Sequence, residues 1–205
     1  MNKEEVQSHL LKKLNFSSDD LNKLSIFHDE LLRFNKRYNL ISKSTESDVW
    51  SRHILDSAQI VKYIGFDDGK SLSDMGSGAG FPGLVLAIFN KNPKFHVKLY
   101  EKSNIKCDFL ENIRNKLGIE CYIFGRYQDE EIISEYVVSR AFKKLDEILR
   151  VSREIIQVNH KLIILKGKNA EQEINKLLQP LEFMYKLEQS MTDLESKILI
   201  VDVKK

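Results

Sequence analysis

The stretch Ser73-Asp74-Met75-Gly76-Ser77-Gly78-Ala79-Gly80-Phe81-Pro82-Gly83 decides the fold of this chain. Residues 71–75 can form a short strand, and residues 84–89 are a continuous apolar run that is typical of a helix buried against a sheet. Pro82 suits the first position of that helix, where an N–H group has no partner within the helix. A strand, a glycine-rich turn and a helix in this order predict a nucleotide-binding loop, because glycine lets a ligand lie against bare main chain.

The glycine spacing alone is compatible with two kinds of ligand. Gly78, Gly80 and Gly83 match a dinucleotide fingerprint. Gly76, Gly78 and Gly80, with Asp74 two residues ahead, match a loop that binds S-adenosylmethionine (SAM). The pattern therefore predicts a cofactor that contains a nucleoside and leaves its identity open.

Glu101 is consistent with either ligand. It lies 21 residues after Gly80, at the end of residues 96–100, which alternate like a second strand. An acid at this place can accept hydrogen bonds from both hydroxyls of a ribose. The simpler alternative, a tight turn that binds nothing, does not explain an acid at this distance.

Composition favours one sizeable globular domain with a small extension. The chain has 205 residues, of which 42% are hydrophobic and 30% charged, and its net charge is only +2, so any nucleic-acid site must be a local patch. Cys107 and Cys121 lack metal-ligand spacing and the five histidines are scattered, so we expect no metal site. We see no signal peptide and no apolar run that could span a bilayer, and therefore expect a cytoplasmic, monomeric protein with no membrane contact.

The first seventy residues are predicted to be helical. Ser17 and Ser18 are candidate helix caps, with Asp20 as the acid of a capping box, and Thr45 with Asp48 predicts the start of another helix that ends at Gly65. We expect residues 1–70 to form a helical cap on a cofactor-binding domain, residues 71–205.

Strand and helix patterns alternate from residue 71 onward. Further strands are predicted at residues 121–124, 136–139, 162–165, 183–187 and 197–203. Alternation of this kind predicts a doubly wound α/β sheet that is mostly parallel. About nine residues join the last two strands, too few for a helical crossover, so these two should form an antiparallel hairpin. This is the plan of class I SAM-dependent methyltransferases, with a Rossmann-like sheet, and it favours SAM over a dinucleotide.

Ligands bind outside the carboxyl ends of the strands in such sheets, and the residues found there are candidate site residues. We expect the loop from Asp74 to Gly80 and the acid Glu101 to hold the methionine and ribose portions of the cofactor. Tyr127 and Gln128 follow the third strand, where adenine could stack and be hydrogen-bonded. Arg140 follows the fourth strand, where cofactor and substrate should meet, and the remaining candidates are Phe81 as a wall of the pocket and Lys166 after the fifth strand.

The residues after the fourth strand restrict the acceptor. Methyltransferases that act on exocyclic amines commonly carry Asn/Asp-Pro-Pro-aromatic there, whereas this chain has Ser139-Arg140-Ala141-Phe142. Neither cysteine stands beside a proline, as a cytosine-C5 enzyme would require. We therefore expect an acceptor atom with a free lone pair, such as guanine N7, for which positioning would supply most of the rate.

Basic residues near this edge could hold an RNA backbone. Phosphate contacts of this kind supply affinity without sequence information. The alternative to RNA binding is that these side chains are ordinary solvated surface charges. The candidates for RNA binding are Lys143, Lys166 and Lys168 after the fourth and fifth strands, and Arg37 and Arg52 in the cap.

Several motifs together resemble the glucose-inhibited division protein B family of bacterial 16S rRNA (guanine-N7) methyltransferases. They are Tyr38-Asn39-Leu40, His53-Ile54-Leu55-Asp56-Ser57, the glycine stretch, Val138-Ser139-Arg140-Ala141-Phe142 and Leu165-Lys166-Gly167, which occur in family order. The resemblance implies SAM as methyl donor and 16S rRNA of the small ribosomal subunit, or its precursor, as partner.

The resemblance also places individual residues. Gly76 and Phe81 fall on cofactor-contacting positions, Tyr127 and Gln128 on the adenine-side pair, and Arg140 on the binding arginine, which we take as the catalytic candidate. The family often has an acid where this chain has Gln128.

The consequence of a second departure from the family pattern, and the roles of one pair of residues, stay undecided. The family usually has arginine where this chain has Cys107. His53 and Asp56 share one helix face, and packing or a role toward RNA or cofactor fits them equally.

Two other functions remain compatible with the sequence. One is a SAM-dependent methyltransferase that acts on a small molecule or a protein, for which the basic residues would be incidental. The other is a non-catalytic module that binds a dinucleotide through the same loop.

Overall fold

Seven strands form one mixed sheet in the computed structural model, which describes residues 1–127, 131–167, 170–177 and 184–205. The spatial order of the strands is β3-β2-β1-β4-β5-β7-β6. Their bounds are β1 Ser71–Met75, β2 His96–Tyr100, β3 Tyr122–Phe124, β4 Tyr136–Arg140, β5 His160–Lys166, β6 Tyr185–Gln189 and β7 Lys197–Val203.

Strand direction follows the predicted plan. The pairs β1–β2, β2–β3, β1–β4 and β4–β5 are parallel. The last strand, β7, lies between β5 and β6 and is antiparallel to both. The predicted doubly wound sheet with a C-terminal antiparallel hairpin is therefore confirmed. One residue of the predicted sixth strand, Phe183, lies outside the described residues.

Helices cover the two faces of the sheet. The α-helices are α1 Lys3–Lys13, α2 Ser18–Tyr38, α3 Asp56–Ala58, α4 Gly83–Phe89, α5 Asn104–Leu117, α6 Leu145–Ile155 and α7 Ala170–Leu177. A 3₁₀ turn Lys43–Asp48 and a π-helical turn Trp50–Leu55 precede α3, and a second 3₁₀ turn Gln59–Tyr63 follows it. No helix among the described residues is long and apolar enough to cross a membrane.

The strands send alternate side chains to two separate cores. In β5, Ile163 and Leu165 belong to the core beneath α1, α2, α4 and α5. Leu162 and Ile164 belong to the core beneath α6 and α7. This division follows from the period of two in an extended strand, and it explains why β5 reads as a continuous apolar run.

The N-terminal helices share one core with the helices of the sheet domain. The ring of Phe27 in α2 lies 5.1 Å from that of Phe81 and 6.3 Å from that of Phe109 in α5, measured between centroids. Glu30 in α2 also accepts a hydrogen bond from Lys116 at 2.6 Å. The cap is therefore packed directly on the face that carries the glycine loop.

Of the two capping boxes predicted in the N-terminal segment, one is confirmed and the other is wrong. The capping box is confirmed at Ser17, whose hydroxyl accepts from the N–H of Asp20 at 3.1 Å while the Asp20 carboxylate accepts from the N–H of Ser17 at 2.8 Å. The box predicted at Thr45 is wrong, because Thr45 lies inside a 3₁₀ turn and its hydroxyl donates to the carbonyl of Ser42 at 2.8 Å. That helical segment ends at Tyr63, before the predicted end at Gly65.

Pro82 also differs by one position from its prediction. It is the N-cap residue of α4, and Gly83 is the first helical residue. The prediction of a strand, glycine turn and buried helix is otherwise confirmed.

The capping box yields a test of stability. Replacing Ser17 with Ala removes the acceptor for the N–H of Asp20, and we expect a loss of about 1 kcal/mol in the free energy of unfolding. The neighbouring Ser18→Ala variant is the matched control, since Ser18 is exposed at the first helical position and does not cap the helix. Urea denaturation of both variants measures the difference, and equal losses would contradict the assignment of Ser17 as the cap.

Candidate active site at the carboxyl edge of the sheet

The loop after β1 depends on glycine at defined points. Gly76, Gly78 and Gly80 all have positive φ, at 76°, 58° and 96°. A Cβ at Gly76 would lie 2.2 Å from the ring of Phe142, and one at Gly80 would lie 2.4 Å from Leu84. A side chain would be strained by the positive φ at all three positions, and at Gly76 and Gly80 it would also be blocked, so the turn back into α4 favours glycine.

Asp74 lies beneath this loop and connects β1 to the start of α4. It is fully buried, and its Oδ2 accepts from the N–H of Gly83 at 2.9 Å. Its Oδ1 has no hydrogen-bond partner among the described residues. Burial raises the pKa of Asp74 to about 7, because the charged form loses its hydration. A Cβ at Gly83 would lie 2.5 Å from Asp74 Oδ2, so glycine is needed for this close approach.

Glu101 stands at the end of β2 and faces the glycine loop. Its Oε2 accepts from the N–H of Gly78 at 2.9 Å, and its Oε1 accepts from the N–H of Ser103 at 2.8 Å. Each carboxylate oxygen can accept a further hydrogen bond. The two backbone bonds therefore fix the orientation of the carboxylate and leave it able to accept from a ligand.

A cavity of about 670 Å³ lies over this loop. Six of the predicted cofactor residues line it, while Asp74 and Gly80 lie outside the lining and Gln128 lies outside the described residues. The six are Gly76, Gly78, Phe81, Glu101, Tyr127 and Arg140. The cavity therefore joins residues from the ends of β1, β2, β3 and β4.

The aromatic walls of this cavity are fixed by packing. Tyr127 is 9% exposed and meets the ring of Phe142 edge-on, with 5.6 Å between centroids. Phe142 in turn lies against Gly76. The sequence did not single out Phe142 as a site residue, although it belongs to the quoted Ser-Arg-Ala-Phe motif.

A second cavity of about 680 Å³ adjoins the first. Its lining combines the segment 45–56, the ends of β4 and β5, and the turn between β6 and β7, which contributes Thr192 and Ser196. Three of the described residues line both cavities: His53, Arg140 and Ala141. Two molecules, one bound in each cavity, would therefore meet at these three residues.

Arg140 is held at this junction by groups from the N-terminal segment. Its Nη1 donates to the carbonyl of Arg52 at 2.9 Å and to Asp56 Oδ2 at 3.3 Å. Its Nη2 lies 2.7 Å from His53 Nδ1, and its guanidinium lies 5.1 Å from the ring centroid of Phe81. Burial lowers the pKa of Arg140, which nevertheless stays charged beside Asp56.

His53 and Asp56, whose roles the sequence left undecided, both contact Arg140. The His53 ring stacks on Phe81 at 5.0 Å and its Nε2 lies 3.0 Å from Thr45 Oγ1. Burial, followed by the charges of Arg140 and Arg52, lowers the pKa of His53 to about 3. His53 is therefore a neutral imidazole at physiological pH.

The basic residues predicted to bind RNA differ in their availability. Lys166 donates to Glu173 Oε2 at 2.8 Å and to the carbonyl of Lys143, and Lys143 forms an ion pair with Glu147. Arg37 and Arg52 are exposed, and Arg52 lines the second cavity. Lys168 lies outside the described residues.

Metal ligation finds no support in the part of the chain that the structure describes. No group of three or more His, Cys, Asp or Glu side chains lies close enough to hold an ion there. Cys107 and Cys121 are both free thiols.

Solved structures share this architecture at low sequence identity. A SAM-dependent methyltransferase from Aquifex aeolicus has a TM-score of 0.57 at 14% identity, over 85% of this chain and 97% of that chain. Fibrillarin from Aeropyrum pernix, solved with S-adenosyl-L-methionine bound, has a TM-score of 0.53 at 9% identity, over 67% of this chain and 68% of that chain. At these identities the likeness shows the fold alone, and it confirms the predicted class I methyltransferase fold.

Sequence relatives cover nearly the whole chain. The protein named ribosomal RNA small subunit methyltransferase G in Rickettsia felis is 40% identical over 184 residues, which are 88% of this chain and 92% of that protein. The protein of the same name in Pelagibacter ubique is 34% identical over 196 residues, which are 93% and 92% of the two chains. A family model described as GidB, rRNA small subunit methyltransferase G, matches residues 20–200. The resemblance inferred from the sequence motifs is thereby confirmed, and this chain belongs to the GidB family.

Proposed function

We propose that this protein transfers a methyl group from SAM to N7 of a guanine in 16S rRNA of the small ribosomal subunit. The observation that carries the proposal is the junction at His53, Arg140 and Ala141, where a cavity built on the glycine loop meets a second cavity. Family membership supports the methyl transfer to small-subunit rRNA. The choice of N7 rests on the chemistry of the junction.

The residues around the first cavity fit SAM. Its volume of about 670 Å³ is in the range of small-molecule sites. Side chains at Gly76 and Gly78 would be strained by their positive φ, so bare backbone faces the ligand. The carboxylate of Glu101 is oriented by two N–H donors and can accept from ribose hydroxyls. When bound, SAM supplies an electrophilic methyl group on a sulfonium sulfur.

We assign the other cofactor residues by their places around that cavity. Tyr127 offers a buried ring on the adenine side, with Gln128 next to it in sequence. Phe81 forms the wall shared with His53. Asp74 and Gly80 act from beneath, since they shape the loop that presents Gly76 and Gly78.

The junction suits an acceptor that needs no general base. Arg140 has no lone pair to offer, and both nitrogens of His53 are engaged with Arg140 and Thr45. Guanine N7 carries a free lone pair, and its methylation releases no proton. What Arg140 can do is hold the base in line with the methyl group, an effect worth up to about 7–11 kcal/mol in favourable cases.

RNA contact is proposed around the mouth of the second cavity. Arg52 is exposed there, and Arg37 is exposed at the end of α2. Lys143, Lys166 and Lys168 remain proposed phosphate contacts. Lys143 and Lys166 would then bind phosphate while each also forms an ion pair, with Glu147 and Glu173 respectively.

We also propose that residues 1–70 cap the methyltransferase domain, residues 71–205. A cytoplasmic location and a monomeric state stay predictions.

The role of Glu101 can be tested by cofactor binding alone. We expect Glu101→Ala to raise the Kd for SAM about 10- to 100-fold, because hydrogen bonds to a charged group are worth about 1.5–3 kcal/mol. Glu120→Ala, which removes an exposed carboxylate at the opposite edge of the sheet, is the matched control. Isothermal titration calorimetry measures both, and an unchanged Kd for Glu101→Ala would contradict the ribose assignment.

The substrate class can be tested with methyl-labelled SAM and small-subunit particles from cells that lack this enzyme. We expect label in rRNA with the wild-type protein, and a loss of at least about tenfold with Arg140→Ala under conditions in which urea denaturation shows that variant to be folded, because Arg140→Ala should lower methyl transfer more than it lowers folding stability. RNA binding should also weaken steeply as salt rises. Label in a protein or a small molecule, or SAM displaced by NAD, would contradict the rRNA proposal and support the other functions that the sequence allowed.

A further inference from the structure

The contacts of His53 define the position of its protons. An arginine guanidinium can only donate, so the 2.7 Å contact with Arg140 Nη2 requires an unprotonated Nδ1. His53 Nε2 must then carry the proton and donate to Thr45 Oγ1 at 3.0 Å. Thr45 can accept it because its own hydroxyl donates to the carbonyl of Ser42 at 2.8 Å. The chain of hydrogen bonds runs in one direction from Arg140 to the backbone of Ser42.

Asp56 contacts the same guanidinium through a second group of hydrogen bonds. Its Oδ2 accepts from Arg140 Nη1, while its Oδ1 accepts from Gln59 Nε2 at 2.8 Å and from Thr192 Oγ1 at 3.0 Å. Gln59 also accepts from the N–H of Met191 at 2.9 Å. Asp56 is thus fixed between the cap and the β6–β7 turn, one turn of helix away from His53.

The two partners of Arg140 differ in charge. Asp56 is a carboxylate, and His53 is a neutral imidazole that accepts a hydrogen bond without cancelling the positive charge. Three of the five N–H groups of Arg140 are engaged in the contacts given above. The arginine is therefore held firmly and stays cationic, and within the described part of the chain it keeps two N–H groups that a ligand at the junction could use.

We propose that His53 and Asp56 are positioning residues, which hold the Arg140 guanidinium between the two cavities, with His53 as a neutral acceptor in its Nε2–H tautomer. The proposal rests on the proposed function and adds to it that the cap completes the active site. Neither residue is expected to touch the reacting atoms. His53 acts through Arg140, and its stacking on Phe81 ties that arginine to the wall of the cofactor cavity.

A purely structural role for His53 makes a different prediction. If the ring only filled space against Phe81, then phenylalanine at position 53 would serve as well. The proposed role requires an acceptor for Arg140 Nη2, which phenylalanine lacks and asparagine retains through its Oδ1. His53→Phe and His53→Asn therefore separate the two roles.

The first experiment needs no methyl transfer. In wild-type protein with ¹⁵N-labelled histidine, NMR should show His53 as the neutral Nε2–H tautomer from pH 8 down to pH 5.5, with no titration in that interval. Among the described residues, Arg140 and Asp56 are the charged groups in this set of contacts, and the exposed Arg52 acts on the ring through its charge. A ring that titrates in this interval, or one that is protonated on Nδ1, would overturn the proposal even if the chain proved inactive on rRNA.

The second experiment measures single-turnover methyl transfer to small-subunit particles at saturating SAM. We expect His53→Phe to slow transfer about 10- to 100-fold while the Kd for SAM changes less than about threefold, and His53→Asn to recover most of the rate. His96→Phe, an exposed histidine at the start of β2, is the matched control. A His53→Phe variant with the wild-type rate would overturn the proposal.

Coupling to Arg140 is the decisive readout. In an Arg140→Met background, which removes every donor to His53 Nδ1 from that side chain, His53→Phe should change the rate less than about threefold. The same 10- to 100-fold loss in both backgrounds would show that His53 acts independently of Arg140. Failure of the proposed function would look different, since the wild-type protein itself would then transfer no label to rRNA.

Discussion

The carboxyl edge of the sheet depends on a buried arginine whose charge is satisfied from outside the sheet. Arg140 ends β4, and its side chain is only 16% exposed. A charge in that setting is stable only if it is paired and hydrogen-bonded. The partners are Asp56, His53 and the carbonyl of Arg52, all of which belong to the segment before β1. The position of the arginine is therefore set by the packing of the cap against the sheet, and the two cavities meet where it lies.

The glycine loop, on the other side of the junction, is also held in place by hydrogen bonds. Asp74 ties the start of α4 to β1, while Glu101 ties Gly78 to the end of β2. The ring of Phe81, at the end of the loop, packs against both Phe27 of α2 and the ring of His53. The glycine loop and the helical segment that holds Arg140 are thus parts of one packed unit. The N-terminal segment therefore contributes side chains to the edge of the sheet where the two cavities meet.

Much of the architecture could be predicted because its signals are local. The alternation of β2 and the apolar run of β5 come from the period of two and from burial on both faces. The cap at Ser17 needs only residues three positions apart. The spacing from Gly80 to Glu101 placed an acid beside the loop, because carboxyl ends of parallel strands meet at one edge.

What could not be predicted depends on contacts between distant segments. Thr45 carries the pattern of a helix cap, yet its hydroxyl is engaged with Ser42 and His53, and this arrangement replaces the predicted helix start. Thr192 reaches Asp56 across 136 positions of the chain, and no local pattern announces such a bond. The basic residues proposed to bind RNA could not be told apart in the sequence. In the structure, Lys143 and Lys166 are paired with carboxylates, whereas Arg52 is exposed.

The atom of rRNA that accepts the methyl group can be identified directly by chemical cleavage. Small-subunit rRNA that has received the methyl group would be reduced and treated with aniline, which cleaves the strand at N7-methylguanine. We expect cleavage at a single guanine, which depends on both the enzyme and SAM. Methylated rRNA that resists cleavage would contradict the claim that the junction at Arg140 positions a lone pair of guanine N7 without a general base.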